Sequence, residues 1–341
     1  MGKVIFVFLL VLFSLPACLG AGAVSPPPTL KIGLVAPFEG LHRPLGYEAL
    51  FGVKLALLER NAAQGVGGYR VELVALNDFD DPLEAEKQAR ALSADPDVVG
   101  VIGHFSAATT QAALPVYRQA NLALVIPWSA AALESDRSGV VSVAANLAET
   151  EARLETMGRD LGLNSITEII EPDVTVIPAS VQALAVKTEG VTAGEILVAL
   201  REAGMTQPVL GQVEAGSPQT LQVARIAADG FIFVSPGPDP SQIDEAAAFV
   251  EAYQVLAGFP PGPRAVLAYD ATQVLLDALE QSLAAHQMPS RAKVSAVIGT
   301  VQRQGLSGEI VFNQWGERIN APVWVYQMTE TAYPGVMLSP R

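Results

Sequence analysis

The residues with the clearest capacity for chemistry lie in VVGVIGHFSAATT (Val98–Thr110), where an apolar run enters Gly103-His104 and then a polar turn carrying Ser106, Ala107 and Thr109. Hydroxyls and outward-facing backbone N–H groups between a strand end and a helix start make a cradle for an anion or a polar ligand head. A second turn, Pro127-Trp128-Ser129-Ala130, follows the apolar run Leu122–Ile126, and its indole offers a flat stacking face with one donor. Ser106, Thr109 and Ser129 serve equally well as helix caps, and Trp128 equally well as a cleft plug, so both roles stay open for each. Glu39 and Glu214 are acids within reach of such a cleft, or else solvated loop acids.

None of these groups combines into a catalytic or metal centre. His42, His104 and His286 are scattered, with no cysteine or acid at triad or metal-ligand spacing, so no enzyme activity, cofactor or metal is expected. His104 reads as a local hydrogen-bonding residue. The cluster Asp78, Asp80, Asp81 lacks the ligand number and the glycine of a calcium loop and reads as a solvated turn with a helix cap. Gly65-Val66-Gly67-Gly68 lacks the lysine and the strand-to-helix setting of a phosphate loop and reads as a hairpin-like connection.

The elements that must position these turns alternate. Strands Leu30–Ala36, Tyr69–Asn77, Val98–Ile102 and Leu122–Ile126 are each followed by a loop and, in the first three cases, by a helical pattern. Strand and helix in alternation imply a parallel sheet with right-handed crossovers, and ligands in such sheets sit beyond the carboxyl ends of the strands. After Val140–Val143 the pattern restarts with helix Glu149–Leu161, strands Ile166–Ile170 and Val181–Val186, helix Gly194–Ala203, and strands at Val209–Gly211 and Gly230–Val234. Helices Glu245–Ala257 and Leu267–Ala285 and strands Ile310–Phe312 and Val323–Gln327 complete the chain.

Composition sets the outer bounds. A formal charge of −14 over 341 residues offers no basic surface for nucleic acid, which is excluded as a partner. Lys3 followed by the apolar stretch Val4–Leu15 has the form of an export signal too short to span a bilayer as a helix. Leu15-Pro16-Ala17-Cys18 resembles a bacterial lipobox, which implies acylation of Cys18 and a lipid anchor in the membrane. The alternative is secretory cleavage after Ala21-Gly22-Ala23. Cys18 is the only cysteine, so no intramolecular disulfide forms.

Four segments, VIGHFSAATT, LALVIPWSAAAL, AYDATQVLLDALEQ and GEIVFNQWGERINAPVWVYQ, resemble the type I periplasmic solute-binding proteins of bacterial ABC transporters, in particular the leucine/isoleucine/valine-binding branch. The resemblance implies an α/β fold of two Rossmann-like lobes with parallel sheets, joined by a three-strand hinge and closing on a small ligand. It implies no cofactor, with ABC permease subunits as partners. It divides the chain into a signal peptide (1–17), a tether (18–29), lobe one (30–143 with 239–321) and lobe two (144–238 with 322–341), with crossovers near Val143, Pro238 and Pro322.

The carry-over of ligand contacts is incomplete. Ala107 stands where the family has a carboxylate-binding serine, Ala130 where it has a threonine, Leu45 where it has a tyrosine and Val213 where it has the ammonium-binding acid, with Glu214 adjacent. Only Glu171–Ser180 joins two strands between which the family carries a helix, strand, helix insert. Lobe two is therefore expected to be trimmed by one βα unit, with strands Ile166–Ile170 and Val181–Val186 not parallel neighbours in the usual order. Three functions fit: a solute-binding lipoprotein of an importer for an amino acid-like or amide-like ligand, a ligand-sensing receptor subunit, or a degenerate member that binds a partner protein without a ligand.

Overall fold

The computed structural model describes residues 27–128, 139–163, 165–178, 180–286 and 288–340. Cys18, Ser129 and Ala130 lie outside the described residues. The first lobe opens with β1 (Thr29–Ala36), α1 (Arg43–Ala62), β2 (Arg70–Asn77), α2 (Pro82–Ala94), β3 (Val98–Ile102), α3 (Ala107–Gln119), β4 (Ala123–Ile126) and β5 (Val140–Ser142). The strands form one parallel sheet in the order β2-β1-β3-β4-β5. Its inner strands are apolar nearly throughout because helices cover both faces. Alternation splits the side chains: Ile32, Leu34, Ile102 and Val125 join one core, whereas Val35, Val101, Leu124 and Ile126 join another beneath α2 and α3. Gly100 lets a helix approach, since a Cβ there would lie 2.5 Å from Leu275 Cδ1.

The chain then passes to a second sheet through α4 (Leu147–Asp160), β6 (Ile166–Ile169), β7 (Ala183–Val186), α5 (Gly190–Glu202), β8 (Val209–Gly211), α6 (Pro218–Ala224) and β9 (Ile232–Ser235). It returns to the first lobe for α7 (Ala247–Ala257), α8 (Pro263–His286), α9 (Arg291–Val297) and the hairpin β10 (Arg303–Gly305) and β11 (Gly308–Ile310). It ends in the second with β12 (Trp324–Gln327) and β13 (Val336–Pro340). The second sheet runs β13-β12-β9-β8-β7-β6. Strands β6 to β9 are parallel, but β12 is antiparallel to both β9 and β13, so this sheet is mixed rather than purely parallel.

The order of β6 and β7 corrects the sequence reading. They are adjacent and parallel, with Ile166 opposite Ala183 and Ile169 opposite Val186. Residues 170–182, containing a single 3₁₀ turn at Val174–Val176, suffice for the return. The two sheets explain why. In the first, β1 lies between β2 and β3; in the second, β6 is the edge strand and β7 its neighbour. A return from an edge strand to its immediate parallel neighbour crosses no intervening strand.

Local signals set the helix starts. Asp81 accepts from the N–H groups of Leu83 and Glu84 ahead of Pro82, and Asn146 and Glu149 form a reciprocal capping box at α4. The turn at Gly65–Gly68 is the expected hairpin-like connection, closed by an antiparallel bridge between Val66 and Tyr69. Among the described residues no helix is long and apolar enough to cross a membrane.

Candidate functional site

Loops at the carboxyl ends of the parallel strands of both lobes converge on one cleft. His42 follows β1, Asp80 follows β2, Phe105 and Ser106 follow β3, and Trp128 follows β4; Glu189 and Glu214 reach in from beyond β7 and β8. Leu45, Ser217, Gln219 and Arg264 complete the polar and apolar walls. The cavity is ≈ 100 Å³, small beside ordinary ligand pockets of roughly 300 Å³ or more. The lobes touch here, because Gln219 Nε2 donates to the carbonyl of Leu41 at 3.2 Å and His42 Nε2 lies 3.7 Å from Asp80 and 3.8 Å from Glu189.

The hydroxyls of the first turn are spent locally. Ser106 Oγ caps α3 by accepting from Thr109 N and lies 2.8 Å from Thr109 Oγ1, while Thr109 and Thr110 hydroxyls both donate to the Ser106 carbonyl. Thr109 is fully buried, and only Ser106 of this turn faces the cleft. Thr109 and Ala107 are therefore helix-start residues. The second lobe repeats the device: Ser217 caps α6, with Thr220 N donating to Ser217 Oγ at 3.3 Å and the two hydroxyls 3.1 Å apart. Ser217 followed by Pro218 is a helix-start signal that the sequence reading passed over, along with α6 itself.

The acidic cluster after β2 is not a solvated turn. Asp81 caps a helix as expected, but Asp78 is buried and pairs with His104 Nδ1 at 2.8 Å, and His104 Nε2 lies 3.1 Å from Tyr117 Oη. His104 is thus the local hydrogen-bonding residue expected, held wholly inside lobe one. Asp80 faces the cleft, and its carboxyl is pushed above the usual range by burial, against the hydrogen bond from Ser106 and the charge of His42. Glu214 also lines the cleft and is raised, chiefly by burial, with Arg264 opposing and Glu151 and Glu189 adding to it. Glu39 is exposed and is not among the lining residues.

Trp128 lies in the wall, 3% exposed, with the guanidinium of Arg264 stacked 3.9 Å from its ring centroid. Arg264 is the group that the sequence reading missed, because it began this helix at Leu267. The structure starts α8 at Pro263, which puts Arg264 in the first turn. A cation there opposes the helix dipole, and that misplacement is the signal available in PPGPR. Glu48 relieves part of it: its Oε1 accepts from the backbone N–H of Arg264 at 2.7 Å and of Ala265 at 3.2 Å. Arg264 is 4% exposed, yet among the described residues its Nε and Nη1 have no hydrogen-bond partner, nor does Gln219 Oε1 across the cleft.

Residues 29–163 and 176–332 match the periplasmic binding protein family. The chain belongs to that family. It is 22% identical to a leucine-, isoleucine-, valine-, threonine- and alanine-binding protein of Pseudomonas aeruginosa, over 89% of this chain and 91% of the relative. A shorter stretch of 98 residues is 31% identical to an amino acid binding protein of the same organism; that match covers 29% of this chain and only 26% of the relative's length. Among solved structures, the branched-chain amino acid transporter substrate-binding protein LivJ of Streptococcus pneumoniae, in complex with isoleucine, superposes with a TM-score of 0.79 at 18% identity, covering 92% of this chain and 99% of LivJ. The fold is that of the type I periplasmic binding proteins.

Proposed function

We propose that this protein is an extracytoplasmic solute-binding protein that holds a small polar ligand between its lobes and presents it to the permease of an ABC importer. The observation that supports this most is a cleft walled by both lobes at their strand ends, in which buried donors and an acceptor on opposite walls lack partners among the described residues. Unmet buried polar groups are costly in a protein without a ligand, which favours a binding role over a degenerate, ligand-free one. A ligand touching both walls stabilises the closed form through contacts that the open form cannot make.

In this reading the lobes divide as 30–143 with 239–321 and 144–238 with 322–341, and the crossovers near Val143, Pro238 and Pro322 act as the hinge. Ser106, Trp128, Glu189 and Glu214 are ligand contacts. Export by the leader and acylation of Cys18 hold the protein at the outer face of the cytoplasmic membrane or in the periplasm, since two or three acyl chains anchor firmly where one does not. Cys18→Ala is expected to move the protein from the membrane fraction to the soluble exported fraction.

The test is small-angle scattering and thermal melting against a broad solute library at millimolar concentration. At least one solute should both raise the melting temperature and compact the particle. A library that does neither would overturn the proposal.

A further inference from the structure

Resting on that reading, we propose that Arg264 is the anion anchor of the cleft and that the ligand is a monocarboxylate, held by a guanidinium rather than by turn hydroxyls. Four observations converge on it. The hydroxyls of Ser106, Thr109, Ser217 and Thr220 are tied to one another and to backbone groups at the starts of α3 and α6. They have little left to offer an incoming carboxylate.

The guanidinium is in the opposite condition. It is 4% exposed and lines the cleft, and among the described residues its Nε and Nη1 have nothing to donate to. Stacking on Trp128 fixes its plane, so its donors are oriented before any ligand arrives. The neighbouring carboxylate that could satisfy it does not, because Glu48 Oε1 is committed to the backbone N–H groups of Arg264 and Ala265. A carboxylate oxygen supplies the charged acceptor that such donors bind most strongly.

The remaining charges limit the ligand to a single carboxylate. Asp80, Glu189 and Glu214 also line the cleft, and the other basic group there, His42, already faces Asp80 and Glu189. A second carboxylate on the ligand would meet those acids, whereas a hydroxyl, amide or ammonium would donate to them. The cleft therefore discriminates against dicarboxylates.

The experiment titrates the protein without its leader with matched pairs, acetate and acetamide, benzoate and benzamide, L-leucine and L-leucinamide, together with succinate and phthalate. Indole fluorescence and thermal shift are read to tens of millimolar. At least one monocarboxylate should bind about tenfold or more tightly than its amide, the loss expected for one charge-assisted hydrogen bond. Arg264→Gln should abolish that preference, Arg264→Lys should restore part of it, and both dicarboxylates should fail. The carboxylate-over-amide preference is read on the unsubstituted protein, so it stands even if a variant folds poorly. Equal binding of acid and amide, undiminished binding to a folded Arg264→Gln, or no response to any carboxylate would each overturn the proposal. Binding of an amide or other uncharged solute would leave the solute-binding reading intact while removing this one.

Discussion

Replacing Arg318 with methionine is expected to be among the most damaging single changes outside the cleft. The side chain is 2% exposed and spans three segments: Nε donates to the Glu309 carbonyl at 2.8 Å, Nη1 to the Val143 carbonyl and to Ser307 Oγ at 2.9 Å each, and Nη2 to the Ser307 carbonyl at 2.9 Å. Ser307 is in turn held by Asp270, which accepts from the Leu306 and Ser307 N–H groups and from Ser307 Oγ. Methionine fills much of the volume but removes the donor from the buried carbonyls of Val143 and Ser307 and from the part-buried bond to Glu309, and leaves Asp270 without its nearby counter-charge. Breaking a buried charged network by removing one partner costs about 3–5 kcal/mol. At roughly 2–4 °C per kcal/mol for chains of this order, the melting temperature should fall by about 6 °C or more. Because Val143 lies between β5 of the first sheet and α4, the loss should also loosen that connection. The assay is urea unfolding with a double-mutant cycle to Asp270→Asn, whose effects should be strongly non-additive. A loss under about 1 kcal/mol, or additivity, would refute the claim that these residues act as one network.

Gly216→Ala should destabilise the second lobe by about 1–3 kcal/mol, since its Cβ would lie 1.9 Å from Phe233 Cδ2 and that ring is stacked between Phe231 and Tyr333; thermal melting checks it. Gln219→Ala removes the interlobe bond to Leu41 and should open the unliganded protein, seen as a larger radius of gyration in scattering, at a cost to the closed form of about 0.5–1.5 kcal/mol. Burial raises the carboxyl of Glu214, and a bound carboxylate would raise it further, so ligand binding takes up a proton and a carboxylate probe should bind more tightly as pH falls from 7 toward the usual glutamate range. Calorimetry at several pH values should show that slope in the unsubstituted protein and a flatter one in Glu214→Gln.

The fold was legible because its signals are redundant. Apolar strands alternating with capped helices specify a parallel sheet, and VIGHFSAATT, LALVIPWS and AYDATQ all lie within the residues that match the family. The order of β6 and β7 was not legible: a link too short to carry a long helix still joins parallel neighbours when the first of them is an edge strand. The mixed character of the second sheet escaped because β12, though read as a strand, runs antiparallel to β9, a direction its residues do not display, and β13 (VMLSP) is too short to carry a pattern of its own.

The site was legible by location and not by residue. Strand-end turns are where ligands meet open α/β sheets, so Ser106, Trp128 and Glu214 fall in the cleft as the topology requires. Which of their groups stay free for a ligand depends on hydrogen bonds that sequence does not display. Ser and Thr at a helix start satisfy the backbone first, and only coordinates reveal that Thr109 is consumed in doing so. Arg264 is the converse case. A guanidinium in the first turn of a helix is disfavoured by the dipole and expensive to bury, and in the absence of a bonded acid it persists only if something else rewards it. In this molecule Ser106, whose hydroxyl is engaged at the start of α3, and the guanidinium, two of whose nitrogens lack a partner among the described residues, line the same cavity. The simplest physical account of both is that the donor for the ligand has moved from the strand-end turns to the start of α8.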